Sequence, residues 1–324
     1  MNSINSHINA SVAPISGFSK LPKKEKINYI IKTYIKENSS TDAGEAQKLL
    51  ESFWHSDKKL QQTLDEFSEN TISNFTLPFG VAPNVLINNK LHCVPMVIEE
   101  SSVVAAASKA AKFWLSRGGF KSEVIGVTKS GQVHLNWNGD NKRFLDLFEK
   151  SKQEIFTSLE PLEQNMKKRG GGIKEISLLD KTDLRAGYYQ LWADFETCDA
   201  MGANFINTVL EHLGKEWEAI VNREIENSKD QFQIIMAILS NYTPECIVRA
   251  WVDCPISELA DNGIDPVEFA HKFKDSVDIA TLDVYRATTH NKKIMNGINS
   301  VVLATGNDFR ANTTESIPFM IPLL

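Results

Sequence analysis

The segment "IKEISLLDKTDLRAGYYQLWADFETCDAMGANFINTVLEHLG", residues 173–214, contains two strand-like runs and one helix, and the joints between them separate two kinds of α/β protein. "IKEISLL" and "YYQLWADFET" are rich in β-branched and aromatic residues, and the polar "DKTDLRAG" between them reads as the turn of a hairpin. Hairpin-connected strands are antiparallel. The second run enters a helix through "CDAMG", which has one glycine and no G-x-G-x-x-G, so a dinucleotide fold of the doubly wound kind is not indicated. Ile206, Val209, Leu210, Leu213, Trp217 and Ile220 recur at helical spacing and define the buried face of that helix.

Upstream, "EVIGVT" and "QVHLNW" flank "KSG", which reads as a second hairpin, and one long polar helix spans about 142–168. Downstream, "FQIIMAIL" (232–239) is a further strand. Strands paired as hairpins with helices between them predict an α+β sheet covered on one side. Residues 118–240 therefore form a small antiparallel-sheet domain. It interrupts a large, mainly helical domain made of residues 1–117 and 241–324. In that larger part, helices are expected over 20–37, where Ile27, Ile30, Ile31 and Tyr34 align, and over 40–54. Strands and turns follow over 74–100, with "INNK" as a tight connection. An alanine-rich helix over 101–117 ends at Gly118 and Gly119, and helical texture resumes in the last quarter of the chain.

Composition narrows the functional classes. The 324 residues are 42% hydrophobic and 23% charged, and no window approaches a membrane span. "MNSINSHINASVAPIS" has no secretory pattern, so a cytoplasmic protein without a membrane partner is expected. A net charge of -6 without a basic stripe argues against nucleic acid. The four cysteines, Cys93, Cys198, Cys246 and Cys254, have no zinc-type spacing, so no metal site is implied.

Several residues invite chemistry, each with an ordinary alternative. Asp199 can cap the helix after Gly202 and leave amides open to a pyrophosphate, although a capped helix beside a glycine is also simply a helix start. Gly170, Gly171 and Gly172 suit a loop lying flat along a ligand, or a flexible helix exit. Lys292, held by Asp308, could polarise a carbonyl, yet lysines and aspartates are usually surface residues. Glu100 precedes a helix N-terminus, where a carboxylate is normally kept charged; as a proton donor it would need apolar burial to raise its pKa.

Taken together, "ENTISNFTLPFGVAPN", "INNKLHCVPMVIEESSVVAAAS", "RGGG", "DAMGANFINT", "ILSN", "YRATTHNKKIMNGI" and "LATGNDFRA" resemble, in order, the hydroxymethylglutaryl-CoA reductases, specifically the soluble bacterial class II form. The resemblance implies interconversion of 3-hydroxy-3-methylglutaryl-CoA and mevalonate plus CoA, in isoprenoid metabolism, by two NAD(P)H hydride transfers through mevaldehyde. It implies Glu100 as proton donor, Lys292 as carbonyl-polarising cation and Asp308 as the partner that tunes both. It places Ser102, Asn241, Arg286, Thr289 and Asn296 in the substrate pocket, and Asp199, Met201, Gly202 and Asn204 at the cofactor. The small domain is then a non-Rossmann, ferredoxin-like cofactor domain, and the active site forms between the subunits of a homodimer. Glu163 falls where an acidic side chain accepts the adenosine ribose in some members, which favours NAD over NADP; Lys167, Lys168 and Arg169 pull the other way.

Two departures from the family pattern stand out. Ser101 replaces the usual proline, and after Ala311 neither the glycine-rich segment nor the C-terminal flap with its catalytic histidine follows. Residues 312–324 read as foreign sequence or a truncated end. A catalytically inactive chain that retains ligand binding or subunit association is therefore the alternative, with an unrelated α+β dehydrogenase as a third.

Overall fold

The computed structural model describes residues 15–35, 43–260 and 263–309; the expectations for residues 40–42 and for the chain's last fifteen positions lie outside these. The chain divides into two compact units between Pro78 and Phe79. In the first, α1 (Lys23–Ile30) runs into a wider-wound turn, Ile31–Ile35, followed by α2 (Ala43–Ser52) and α3 (Lys58–Glu66). Ile27, Ile31 and Ala46 form its core, with Leu50, Trp54 and Ile72 packed against them.

The second unit opens with the hairpin β1 (Phe79–Ile87) and β2 (Lys90–Val97). Its two-residue connection, Asn88 and Asn89, has φ values of 49° and 63°, the left-handed pair that a tight hairpin turn requires and asparagine tolerates. Helix α4 (Ser101–Leu115) follows and ends as expected. Gly119, at φ 70°, donates its N–H to the Trp114 carbonyl, and a Cβ there would stand 2.6 Å from the Leu86 oxygen.

Next come β3 (Lys121–Trp137), α5 (Asn141–Lys167), β4 (Gly172–Asp180), β5 (Tyr188–Glu196), α6 (Ala203–Glu224) and β6 (Phe232–Leu239). The strands lie in the order β4-β5-β3-β6, all antiparallel. The chain order is thus β-α-β-β-α-β. Alternate residues of the strands, among them Val133, Leu135, Ile176, Leu191, Ala193 and Phe195, are buried beneath Phe144, Phe148 and Ile155 of α5 and Val209, Leu213 and Trp217 of α6. The rings of Trp137 and Phe144 stack at 4.7 Å, and Phe144 and Phe148 both meet Trp217. The β4–β5 hairpin and the apolar face of α6 are those expected from residues 173–214.

The expected hairpin at "KSG" does not form. Lys121–Trp137 is one continuous strand, and Lys129, Ser130 and Gly131 pair in register with Phe195, Asp194 and Ala193. Gly131 serves close packing and not a turn: a Cβ on it would lie 2.5 Å from Leu210 Cδ1 of α6. A seventh strand, β7 (Cys246–Trp251), pairs with the N-terminal half of β3, so sheet structure continues past residue 240. Helices α7 (Pro266–Leu282) and α8 (Val284–Ala304) complete the unit, capped by Asp265 and Asp283 respectively. Helix α8 packs on β2 and α4. Among the described residues no helix is long and apolar enough to cross a membrane.

Candidate active site

The packing of α8 on α4 brings distant motifs together. Glu100 is the N-cap residue of α4, but its carboxylate does not cap that helix. Ser102 Oγ donates to Glu100 Oε1 at 2.6 Å, and Lys292 Nζ of α8 stands 3.5 Å from Glu100 Oε2. Asn296, one turn after Lys292, reaches one member of the pair or the other according to the orientation of its amide. Turned one way it donates to Glu100 Oε2 at 3.4 Å. Turned the other way, which satisfies both amide atoms, its oxygen accepts from Lys292 Nζ at 2.8 Å and its nitrogen donates to the Lys292 carbonyl at 3.2 Å. Glu100, Ser102, Lys292 and Asn296 thus form one polar cluster.

The electrostatics differ from the sequence expectation. Glu100 is not in an apolar pocket: its side chain is 48% exposed and that of Lys292 is 64% exposed. The Ser102 hydroxyl bond, and next the charge of Lys292, hold the Glu100 carboxyl below its ordinary value. In this arrangement the glutamate is a carboxylate. The apolar burial that a proton-donor role would need is not present, since both side chains are open to water.

The other expected substrate residues are less closely gathered. Arg286 and Thr289 precede Lys292 on α8; the Arg286 amide is taken by Asp283, and the Thr289 hydroxyl bonds back to the Tyr285 carbonyl at 2.9 Å. Asn241 is exposed on the loop between β6 and β7. Asp308 is half-buried just beyond α8, and Lys292 meets the Glu100 carboxylate.

A second group of candidates surrounds the start of α6. Gly202, at φ 78°, is the N-cap residue, with no side-chain cap and no acidic residue in the first turn. Asp199 is exposed and does not cap the helix, contrary to expectation. A Cβ on Gly202 would lie 2.4 Å from Thr197 Cγ2, so a side chain is excluded by contact as well as by backbone angle. Met201 and Asn204 are exposed beside it. The glycine loop abuts this one: Cys198 Sγ donates to the Arg169 carbonyl at 3.2 Å, and a Cβ on Gly171 would lie 2.4 Å from the Glu196 oxygen. An uncapped helix start with positive-φ glycine and no nearby acid in its first turn fits the pyrophosphate of a nicotinamide dinucleotide.

Glu163 is placed differently from its expected role. It is 3% exposed, accepts the Ile173 N–H at 3.0 Å and pairs with Lys167 Nζ at 2.5 Å. A carboxylate so enclosed anchors the glycine loop and is not turned outward to a ribose. Lys168 and Arg169 are exposed. The reading from residue pattern also passed over Lys129 and Thr197, which brace the loop before Gly202; Lys129 lay within "KSG", which looked like a turn.

The fold thus presents a Glu100–Lys292 ion pair and, separately, a glycine-led start of α6 with no acidic residue in its first turn. The family described as hydroxymethylglutaryl-coenzyme A reductase matches residues 30–321, and the chain belongs to this family. It is 34% identical over 252 residues to the 3-hydroxy-3-methylglutaryl-coenzyme A reductase of Archaeoglobus fulgidus, covering 76% of this chain and 53% of that protein. It is also 34% identical over 247 residues to the probable reductase of Borreliella burgdorferi, covering 75% and 53%. The chain spans about half the length of these curated relatives. Its structure is similar to that of the class II reductase from Streptococcus pneumoniae bound to NADPH, with a TM-score of 0.70 and 31% identity, covering 95% of this chain and 78% of that one.

Proposed function

We propose that this chain interconverts 3-hydroxy-3-methylglutaryl-CoA and mevalonate plus CoA, through mevaldehyde, with two molecules of reduced nicotinamide cofactor consumed in the reductive direction. The observation that carries this reading is the Glu100–Ser102–Lys292–Asn296 cluster. The cofactor supplies hydride when bound. As hydride reaches a thioester or aldehyde carbonyl, negative charge grows on its oxygen, and an ammonium held at that point lowers the barrier. Lys292 provides the ammonium, and Asn296 and Glu100 hold it. Glu100, next to the same oxygen, becomes a proton donor only once substrate replaces water on the open side and raises its pKa. Arg286, Thr289 and Asn241 are assigned to the substrate's carboxylate and hydroxyl, and Asp308 to tuning the lysine. Cofactor binding is assigned to residues 118–240, a ferredoxin-like unit within the larger substrate domain, at Asp199, Met201, Gly202 and Asn204.

The enclosed position of Glu163 weakens the case for NAD. The S. pneumoniae relative binds NADPH, and exposed Lys168 and Arg169 beside the glycine loop suit a 2'-phosphate, so NADPH is expected to be accepted. A homodimer in the cytoplasm completes the reading.

The test is absorbance at 340 nm with HMG-CoA, and separately mevaldehyde, against NADH and NADPH. Loss of reduced cofactor with either substrate supports the reading. A flat trace with measurable cofactor binding favours the second reading, a reductase-like chain that binds without turnover, for which the water-exposed, ionised Glu100 is the specific argument.

A further inference from the structure

Lys129 lies on β3 two residues before Gly131, and strand alternation puts both on the face covered by α6. Its ammonium donates to Thr197 Oγ1 at 2.7 Å and to the Ala200 carbonyl at 3.1 Å. Thr197 is 0% exposed, and its hydroxyl passes the interaction on by donating to the same carbonyl at 2.6 Å. The Ala200 N–H returns to the Thr197 carbonyl at 3.1 Å, which closes a turn around Cys198, itself at φ 52°. The methyl of Thr197 then fills the space that any side chain on Gly202 would need. One lysine therefore sets the path of residues 197–202.

That lysine also brings a positive charge to a loop leading into a helix N-terminus with no acidic residue in its first turn. Like charge placed there is unfavourable in itself and is offset when an anion binds.

We propose that Lys129 is a positioning residue for the cofactor: through Thr197 and Ala200 it holds the loop that carries Asp199, Met201 and Gly202 in the form that admits the dinucleotide. The inference rests on the reading of this loop as the cofactor site. Lys129 acts through the loop and is not placed against the reacting atoms.

The experiment titrates NADPH and NADH into the chain and follows quenching of tryptophan fluorescence, for wild type, Lys129→Met, Lys129→Arg and Thr197→Val. A charge-assisted hydrogen bond of this kind is worth roughly a 10- to 100-fold change in Kd. Lys129→Met is expected to weaken binding by that factor with an unchanged circular dichroism spectrum and thermal midpoint. Lys129→Arg, which keeps charge and donors, is expected to recover most of it. If Lys129→Met does not fold, Thr197→Val carries the test, because it keeps shape and lysine while removing the hydroxyl. Wild-type affinity in Lys129→Met, or in Thr197→Val should that variant decide, overturns the role of Lys129 and leaves the loop's assignment standing. Wild-type chain that binds neither nucleotide overturns both.

Discussion

Lys292 Nζ and Glu100 Oε2 stand 3.5 Å apart, one on the face of α8 and the other at the start of α4. Neither residue is buried, so their attraction is screened by water and contributes little to stability. Its consequence is chemical: together with the Ser102 hydroxyl, the lysine holds the Glu100 carboxyl below its ordinary value in the resting protein.

In any preparation that turns over, Lys292→Ala is expected to lower the hydride-transfer rate by roughly a hundredfold or more, because the developing oxyanion loses its cation. Single-turnover absorbance at 340 nm reads this directly. An unchanged rate removes Lys292 from the mechanism.

The pH dependence of the pair has a definite sign. The Glu100 carboxyl titrates below 4.5 in the folded chain, mainly because of Ser102 and then Lys292. Its contribution to stability is therefore complete above the unfolded value and is lost as pH falls through the lowered folded one. Ser102→Ala and Lys292→Ala should each move the Glu100 titration up towards its ordinary value. Carbon-detected NMR titration of the glutamate carboxyl groups provides the measurement.

Glu163 separates two accounts of cofactor choice. As the buried anchor of the glycine loop, Glu163→Ala leaves the Ile173 amide without its acceptor and is expected to destabilise the protein by about 1–3 kcal/mol. The ratio of NADPH to NADH affinity should stay the same. A shift of that ratio towards NADPH would show that the carboxylate meets the ribose after all.

Gly131 and Phe144 test the packing of the sheet. Gly131→Val drives a side chain into Leu210 and is expected to cost about 1–3 kcal/mol. Phe144→Ala empties a site that is 0% exposed among Trp137, Tyr189 and Trp217, with a cost of about 3–5 kcal/mol. Urea midpoints of the two variants give both numbers, and a null effect for Gly131→Val would mean that β3 and α6 are not packed as described.

Local pattern was enough for the elements whose signals are local. The β4–β5 hairpin, the apolar stripe of α6, the Asn88–Asn89 turn and the glycine exit of α4 follow from side-chain period and backbone preference within a few residues. "KSG" shows the limit, because a glycine that admits a neighbouring helix and a glycine that turns the chain look alike until the helix is placed. Strand β7 was missed for a related reason: its six residues gain their meaning from pairing with the distant N-terminal half of β3.

The candidate site divides the same way. The sequence alone singled out Glu100, Lys292 and the Gly202 loop, because motif resemblance survives in linear order. Only the tertiary structure decided that Glu100 is water-exposed and held ionised, that Glu163 faces inward, and that Lys129 braces residues 197–202. Charge state, burial and hydrogen-bond partners depend on which groups the fold brings within a few ångströms, and spacing along a chain carries no record of that distance.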